Sequence, residues 1–500
     1  MTEENYFLVS RNCYIEDVEQ SHIMMILMGL MPHKSLTFTY DDIGTASLIA
    51  EIYQKEIKYC PQYGAWYLWD GSRWKRQGDD GIISDKIQTL LNLLILYCDE
   101  VTTLTEDDVG KYEKYIRSIR KHTAMKNITE VLKTMVRVQA HELDSDPYIL
   151  NTPLTGYDLR TGQSIETAMD KNITMRTNCN IANTLPPCAR WYQFIDEIMS
   201  GDKEKAGFLQ RALGYSLLGV NKEECMFVAY GAKTRNGKGT LFHAVEAAVG
   251  KDYFGNASPE LICEPKLGKR VDFNAPQPAL TKLVGKRFCN MQEADKDHRL
   301  DSAAIKSLTG RDTLTTRGLY EASFDFEPQF TMWLGTNHLP AVTDDTVFRS
   351  DRIWVITFLE SFTEDTRDTN LKDIFTSSDN QPTILKWLFD GCMDYMQNGL
   401  NPPEVVREAT REYQKRHDRI GDFIEKNCIA GEKERVLRGD LYQAYRSWCV
   451  AAERRYKPIG STSFYAELEV RGYPVIKTYG EWYVSGLSIS QNDKAKISLT

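Results

Sequence analysis

The chain has 500 residues, 42% hydrophobic and 26% charged, and its 61 basic and 70 acidic side chains leave a net charge of −9. That balance fits roughly three or four globular domains and excludes a collagen, a coiled coil or disorder for the bulk of the molecule. The mild acidity excludes no nucleic-acid partner, because a basic groove can sit inside an acidic protein.

Residues 1–45 read as an N-terminal extension with one helix over Ile15–Met31. The apolar stretch His22–Pro32 is too short to cross a bilayer, and the first residues carry no secretory pattern. None of the eleven cysteines forms the closely spaced pair of a zinc site. Together these features predict a reduced, cytoplasmic protein with no membrane segment.

Residues 46–188 predict an α+β region. Trp66, Tyr67, Trp69 and Trp74 surround Asp70-Gly71, a strong hairpin signal. Beside Arg73, Lys75 and Arg76, these rings suit either a small β layer or base stacking. Helical periodicity follows over residues 82–145, and Tyr148–Thr161 reads as strand and turn. Residues 189–221 form a second helical block, apolar at Phe194, Ile195, Ile198, Phe208, Leu209, Leu213, Leu217 and Leu218.

Residues 222–360 alternate strand and helix, the pattern of an α/β domain with a parallel sheet. An apolar strand, Cys225–Tyr230, enters a loop carrying Gly231, Asn236, Gly237, Lys238, Gly239 and Thr240, and a helix follows. Such a loop cradles phosphates with backbone amides and the helix N-terminus, while its lysine reaches the β- and γ-phosphates. Two features depart from the standard spacing. Five residues rather than four separate Gly231 from Gly237, and Gly239 stands where a hydroxyl would bind Mg²⁺, with Thr240 one position late. Further along, Glu293 follows a strand over Arg287–Met291, Asn337 ends the apolar run FTMWLGTN, and Arg349 and Arg352 enter a last strand. Loop, acid, amide and arginine in this order predict hydrolysis of ATP with Mg²⁺. Between acid and amide, Thr313–Arg317 and Ala322–Phe326 predict a hairpin. Lys306, Arg311, Arg317 and Tyr320 there combine charge for phosphates with an aromatic face for a base.

Residues 361–419 read as a helical linker. Residues 420–500 run helix, helix, helix and a two-stranded end, which suggests a winged helix.

The segments RNGKGT (235–240), GKRFCNMQEAD (285–295), IKSLTGRDTLTTR (305–317), LGTNHLP around Asn337 and RIWVITF (352–358) resemble the superfamily 3 helicases, in particular the phage and plasmid D5-like group. ILNTPLTGYDLRTG (149–162), FLQRALGYSLLG (208–219) and YQAYRSWC (442–449) resemble the flanking segments of that group. The resemblance implies an AAA+-like phosphate-loop ATPase domain behind a helical collar, and a homo-hexameric ring moving 3′ to 5′ on single-stranded or forked DNA. It implies Lys238 as phosphate ligand, Glu293 as catalytic acidic residue, Asn337 as sensor and Arg352 as arginine finger. With Gly239 in the hydroxyl position, the metal falls either to Thr240 or to water and downstream acids such as Glu293. The resemblance also implies a separate primase or polymerase partner, since 45 residues cannot hold a primase domain, and a phage or mobile-element origin in a bacterial host. Two other readings compete. One is an ATP-switched DNA-binding initiator or loader without processive unwinding. The other is a phosphate-loop kinase or small-molecule ATPase, against which the hairpin and the C-terminal segment argue.

Overall fold

The computed structural model describes Ile23 and residues 39–53, 55–100, 105–166, 169–182, 188–264, 277–292, 298–317, 323–344, 346–416, 418–451 and 458–490. Of the helix expected over Ile15–Met31, all but Ile23 lies outside these residues.

The N-terminal part opens with the Asp42–Tyr53 helix and a three-stranded antiparallel sheet, β1 (Ile57–Cys60), β2 (Ala65–Trp69) and β3 (Trp74–Gln77). The expected hairpin is there, with Trp69 opposite Trp74. Trp66, Tyr67 and Trp74 are buried, so of the two uses open to these rings the structure realises packing. Helices Gly81–Glu100, Glu106–Ile119 and His122–Met135 then close an apolar core with the first helix. The Glu106 helix starts with a capping box in which Thr105 and Asp108 satisfy each other's backbone amides. A second small antiparallel sheet follows, β4 (Ile149–Asn151), β5 (Gly156–Asp158) and β6 (Gln163–Ile165).

Two helices, Ala189–Ile198 and Lys203–Tyr215, lead into a parallel sheet of β7 (Met226–Tyr230), β8 (Phe254–Ala257), β9 (Phe288–Gln292), β13 (Thr331–Thr336) and β15 (Ile353–Thr357). Its order is β15-β7-β13-β9-β8, with every neighbouring pair parallel. Central strands of such a sheet are covered on both faces and therefore read as unbroken apolar runs, as MFVAY and TMWLGT do. One face packs with the two preceding helices and the Gln381–Asn398 helix in a single core. Trp333 is anchored there by its indole N–H on Ser216 Oγ (2.9 Å). The other face packs on the Ser302–Thr309 helix and on Tyr413 of the Glu404–Lys415 helix. Short pairs β10 (Arg299–Leu300) with β14 (Ala341–Val342), and β11 (Leu314–Thr316) with β12 (Phe324–Phe326), lie between β9 and β15 in the chain. The β11–β12 pair is the expected hairpin, and its tip, residues 318–322, lies outside the described residues.

The C-terminal unit corrects the expectation of three successive helices. A ten-residue strand, β16 (Cys428–Leu437), stands between the Arg419–Asn427 and Arg438–Ala451 helices, ahead of the Ser461–Val470 helix. With β17 (Val475–Thr478) and β18 (Glu481–Ile489) it builds a three-stranded antiparallel sheet of order β16-β18-β17. The unit has its own core around Phe423, Tyr445, Phe464 and Leu468. It docks on the parallel-sheet region through an ion pair of Glu467 with Arg349 and through Arg419, which donates to the Thr343 carbonyl (2.7 Å). No helix among the described residues is long and apolar enough to cross a membrane.

Candidate functional site

The carboxyl ends of β7, β13 and β9 meet at one place, beside the strand from which the chain order runs to opposite edges of the sheet. Ligands of open α/β sheets bind at such a switch point. Gly231 follows β7, and its amide donates to the Thr336 carbonyl (3.1 Å). A Cβ on Gly231 would stand 2.0 Å from Asn236 Nδ2 and 2.8 Å from the Phe358 carbonyl, so only glycine fits. The Asn236 amide fills that space and ties the loop by donating to the carbonyls of Gly231 (3.3 Å) and Lys233 (2.7 Å). Gly237 then turns the chain at φ +83°, against Ile198 and Phe194, and begins the Lys238–Val249 helix. The helix before the sheet thus shapes the loop, a contact that no local pattern announces.

Lys238 is buried, and its ammonium donates to Asn236 Oδ1 (3.0 Å) and Asn337 Oδ1 (2.9 Å). These bonds join the loop after β7 to the residue that follows β13, and Lys238 and Asn337 are ninety-nine positions apart in the chain. A cavity of about 290 Å³ opens here, lined by residues 234–240, Gln292, Gly335–Asn337 and Lys372. Among these lining residues Arg235, Lys238 and Lys372 are cationic and none is acidic. The helix N-terminus adds its partial positive charge and free amides. The arrangement suits a multiply charged anion.

Of the residues singled out in the sequence, Asn236, Gly237, Lys238, Gly239, Thr240 and Asn337 come together in this cavity. Gly231 does not line it; its role is to make room for the Asn236 amide. Glu293 lies outside the described residues and follows Gln292, which lines the cavity. Arg352 stands at the opposite ends of the strands, just before β15, where its carbonyl accepts from the Met226 amide. Its guanidinium pairs with Glu224 (2.6 Å) and donates to Thr309 Oγ1 (2.8 Å) and the Lys306 carbonyl (3.3 Å), so it does not reach the loop of its own chain. Lys306 belongs to the same corner, with its ammonium on the Thr346 hydroxyl. That separates it from the hairpin where it was expected to act. Arg317 is exposed at the end of β11, and Tyr320 lies outside the described residues. Arg311 is bound to the Lys222 carbonyl (3.0 Å). Lys372 was not legible as a site residue. It comes from the short Leu371–Thr376 helix, beyond the motif region.

Residues 46–200 match the family model described as "D5 N terminal like", and residues 229–352 match a "Family of unknown function (DUF5906)". The chain is 27% identical over 453 residues to "Putative helicase L207/L206" of Acanthamoeba polyphaga mimivirus, covering 81% of this chain and 45% of that protein. The N-terminal part of this chain is thus similar to the D5-like family. The chain is also 24% identical over 299 residues to "Putative helicase 022R" of Frog virus 3, covering 57% of this chain and 30% of that one. It spans less than half the length of these relatives. Among solved structures, the apo C-terminal region of NrS-1 is similar at 11% identity and a TM-score of 0.49, over 88% of this chain and 98% of that one.

Proposed function

We propose that this chain is the ATP-hydrolysing motor of a viral or mobile-element replication helicase. The observation that carries the reading is the Lys238–Asn337 bond across the ends of β7 and β13, set in a cationic cavity at a helix N-terminus. On this reading the sheet is the core of an AAA+-like phosphate-loop domain, and residues 234–240 wrap the phosphates. Lys238 neutralises the β- and γ-oxygens. The Asn337 amide, already oriented by Lys238, positions the attacking water, and Glu293 takes its proton. Mg²⁺ supplies charge neutralisation at the phosphates when bound. Thr240, which lines the cavity, and Glu293 are the residues that would hold it.

Gly239 tests that assignment. A Cβ there would meet nothing within 4 Å, and the residue lies in the first turn of the helix. Gly239→Ser should therefore fold, gain helix stability on the order of 0.5 kcal/mol, and keep or raise Mg²⁺ affinity in a magnesium titration of hydrolysis. A loss of turnover at saturating Mg²⁺ would mean that the backbone must be bare at this position.

Arg352 would act on the nucleotide of a neighbouring copy in a homo-hexamer, exchanging Glu224 for the transition-state charge. The ring would move 3′ to 5′ on single-stranded DNA, with a separate primase or polymerase as partner. The C-terminal helix–strand–helix–helix–hairpin order supports a winged helix, whose last helix carries Glu467 in an ion pair with Arg349.

The experiment is ATP turnover with and without single-stranded DNA, unwinding of a forked duplex, and native mass of the assembly. Turnover without unwinding would favour an initiator or loader. Arg317→Ala combined with Tyr320→Ala should abolish unwinding and the stimulation of hydrolysis by DNA. Base stacking is worth about 1–3 kcal/mol, and a phosphate contact is lost with it. Wild-type unwinding by the double variant would remove the hairpin from the DNA path.

A further inference from the structure

We infer that Lys372, which lies outside every motif of the loop and the strand ends, is a second phosphate-binding lysine of the cavity. The inference rests on the nucleotide reading above and adds a residue to it.

The first support is placement. β15 runs beside β7, and the chain leaving it turns back over the glycine-rich loop. The Phe358 amide donates to the Tyr230 carbonyl (2.7 Å), Ser361 Oγ to the Thr234 carbonyl (3.1 Å) and the Phe362 amide to the Arg235 carbonyl (2.9 Å). This strap leads to the Leu371–Thr376 helix. That helix is fixed by Phe375, buried with its ring 5.2 Å from those of Trp191 and Phe194. Lys372 is thereby carried to the cavity wall from an element separate from the loop that holds Lys238.

The second support is charge. Arg190 has acidic partners in Glu197 and Asp368, and Lys386 has one in Asp390. Lys372 is exposed and has no ion pair among the described residues. A lysine is a compact charge on a flexible stem, suited to phosphate oxygens whose position shifts during a reaction cycle. A triphosphate carries more negative charge than one buried lysine offsets, and a second lysine from another wall offsets part of the remainder. Since the strap is bonded to the loop carbonyls, phosphate contact at Lys372 would also hold the Leu371–Thr376 helix to the loop whenever nucleotide is bound.

The test is equilibrium binding of ATP and of adenosine to the full chain, for wild type, Lys372→Ala, Lys372→Arg and Lys372→Glu. The side chain is exposed, so these variants should fold as wild type does, which thermal unfolding without nucleotide checks. Loss of one charge-assisted contact should weaken ATP binding at least about tenfold in Lys372→Ala. Lys372→Glu should bind more weakly still, Lys372→Arg should stay near wild type, and adenosine binding should not change. ATP affinity of Lys372→Ala within twofold of wild type, or an equal loss in the alanine and arginine variants, would overturn the inference. A wild-type chain that binds no ATP would instead overturn the nucleotide reading itself.

Discussion

Lys238→Ala should reduce ATP hydrolysis by on the order of 10²–10³-fold, the scale of losing one preorganised charge at a transition state, while the chain remains folded. The two consequences separate because of what Lys238 touches. Its stem is buried at the start of a helix, where alanine is a good helix former. Its ammonium bonds two amide oxygens, Asn236 Oδ1 and Asn337 Oδ1. In the variant those oxygens face the open cavity, where water can replace the ammonium at modest cost. The loop is still closed by the Asn236 amide on the Gly231 and Lys233 carbonyls. Steady-state turnover, with unfolding measured alongside, checks both parts. The rise in melting temperature expected from ATP in the wild type should also vanish, since it depends on binding to the folded state. Near-normal turnover would place the nucleotide elsewhere.

The parts of the fold read correctly from sequence are those whose signal is local. Strands β7, β13 and β15 are short unbroken apolar runs, which a sheet covered on both faces demands. The Lys238–Val249 helix announces itself by its apolar spacing and by Gly250, at φ +86°, as its stop. Strand β16 went unread because CIAGEKERVL has neither alternation nor an apolar run. Its pairing with β18, from Cys428 opposite Ile489 to Leu437 opposite Tyr483, is broken by a register shift between Ala430 and Arg435. Only the distant partner makes it a strand. The candidate site divides in the same way. Asn236 to Thr240 are contiguous, and Asn337 follows a recognisable strand, so both were visible. Lys372 reaches the cavity through a polar strap without periodicity, and Gly231 matters for a contact with Phe358, 127 residues later. The Arg352 environment was hidden for the same reason, because Glu224 lies 128 positions upstream.

Arg287→Ala should lower stability by about 2–5 kcal/mol, the range for leaving buried hydrogen-bonding groups and a charge without their partner. Arg287 precedes β9 and is only 4% exposed. It donates to the carbonyls of Leu217 and Ile149 (both 2.5 Å), and its guanidinium lies 4.6 Å from the centre of the Tyr253 ring. One side chain therefore ties the small β4–β6 sheet and the helical segment before β7 to the parallel sheet. Alanine leaves two carbonyls without their donor and takes the cation off the ring. Arg287→Lys should lose less, since an ammonium can still serve one carbonyl. The pH dependence has a definite sign. Burial pushes the Asp144 carboxyl above its usual range, and the nearby Arg287 charge pulls it back down. Without Arg287 the folded-state value rises further, so the Asp144 contribution is retained below the unfolded carboxylate value and lost as pH climbs through the raised one. The deficit of Arg287→Ala should accordingly be smaller in mild acid than at neutral pH, by denaturant titration at both. A deficit under about 0.5 kcal/mol at neutral pH, the size expected of an ordinary surface change, would show that the three layers hold together without this residue. Because β9 ends in Gln292 on the cavity wall, hydrolysis should decline together with stability in this variant.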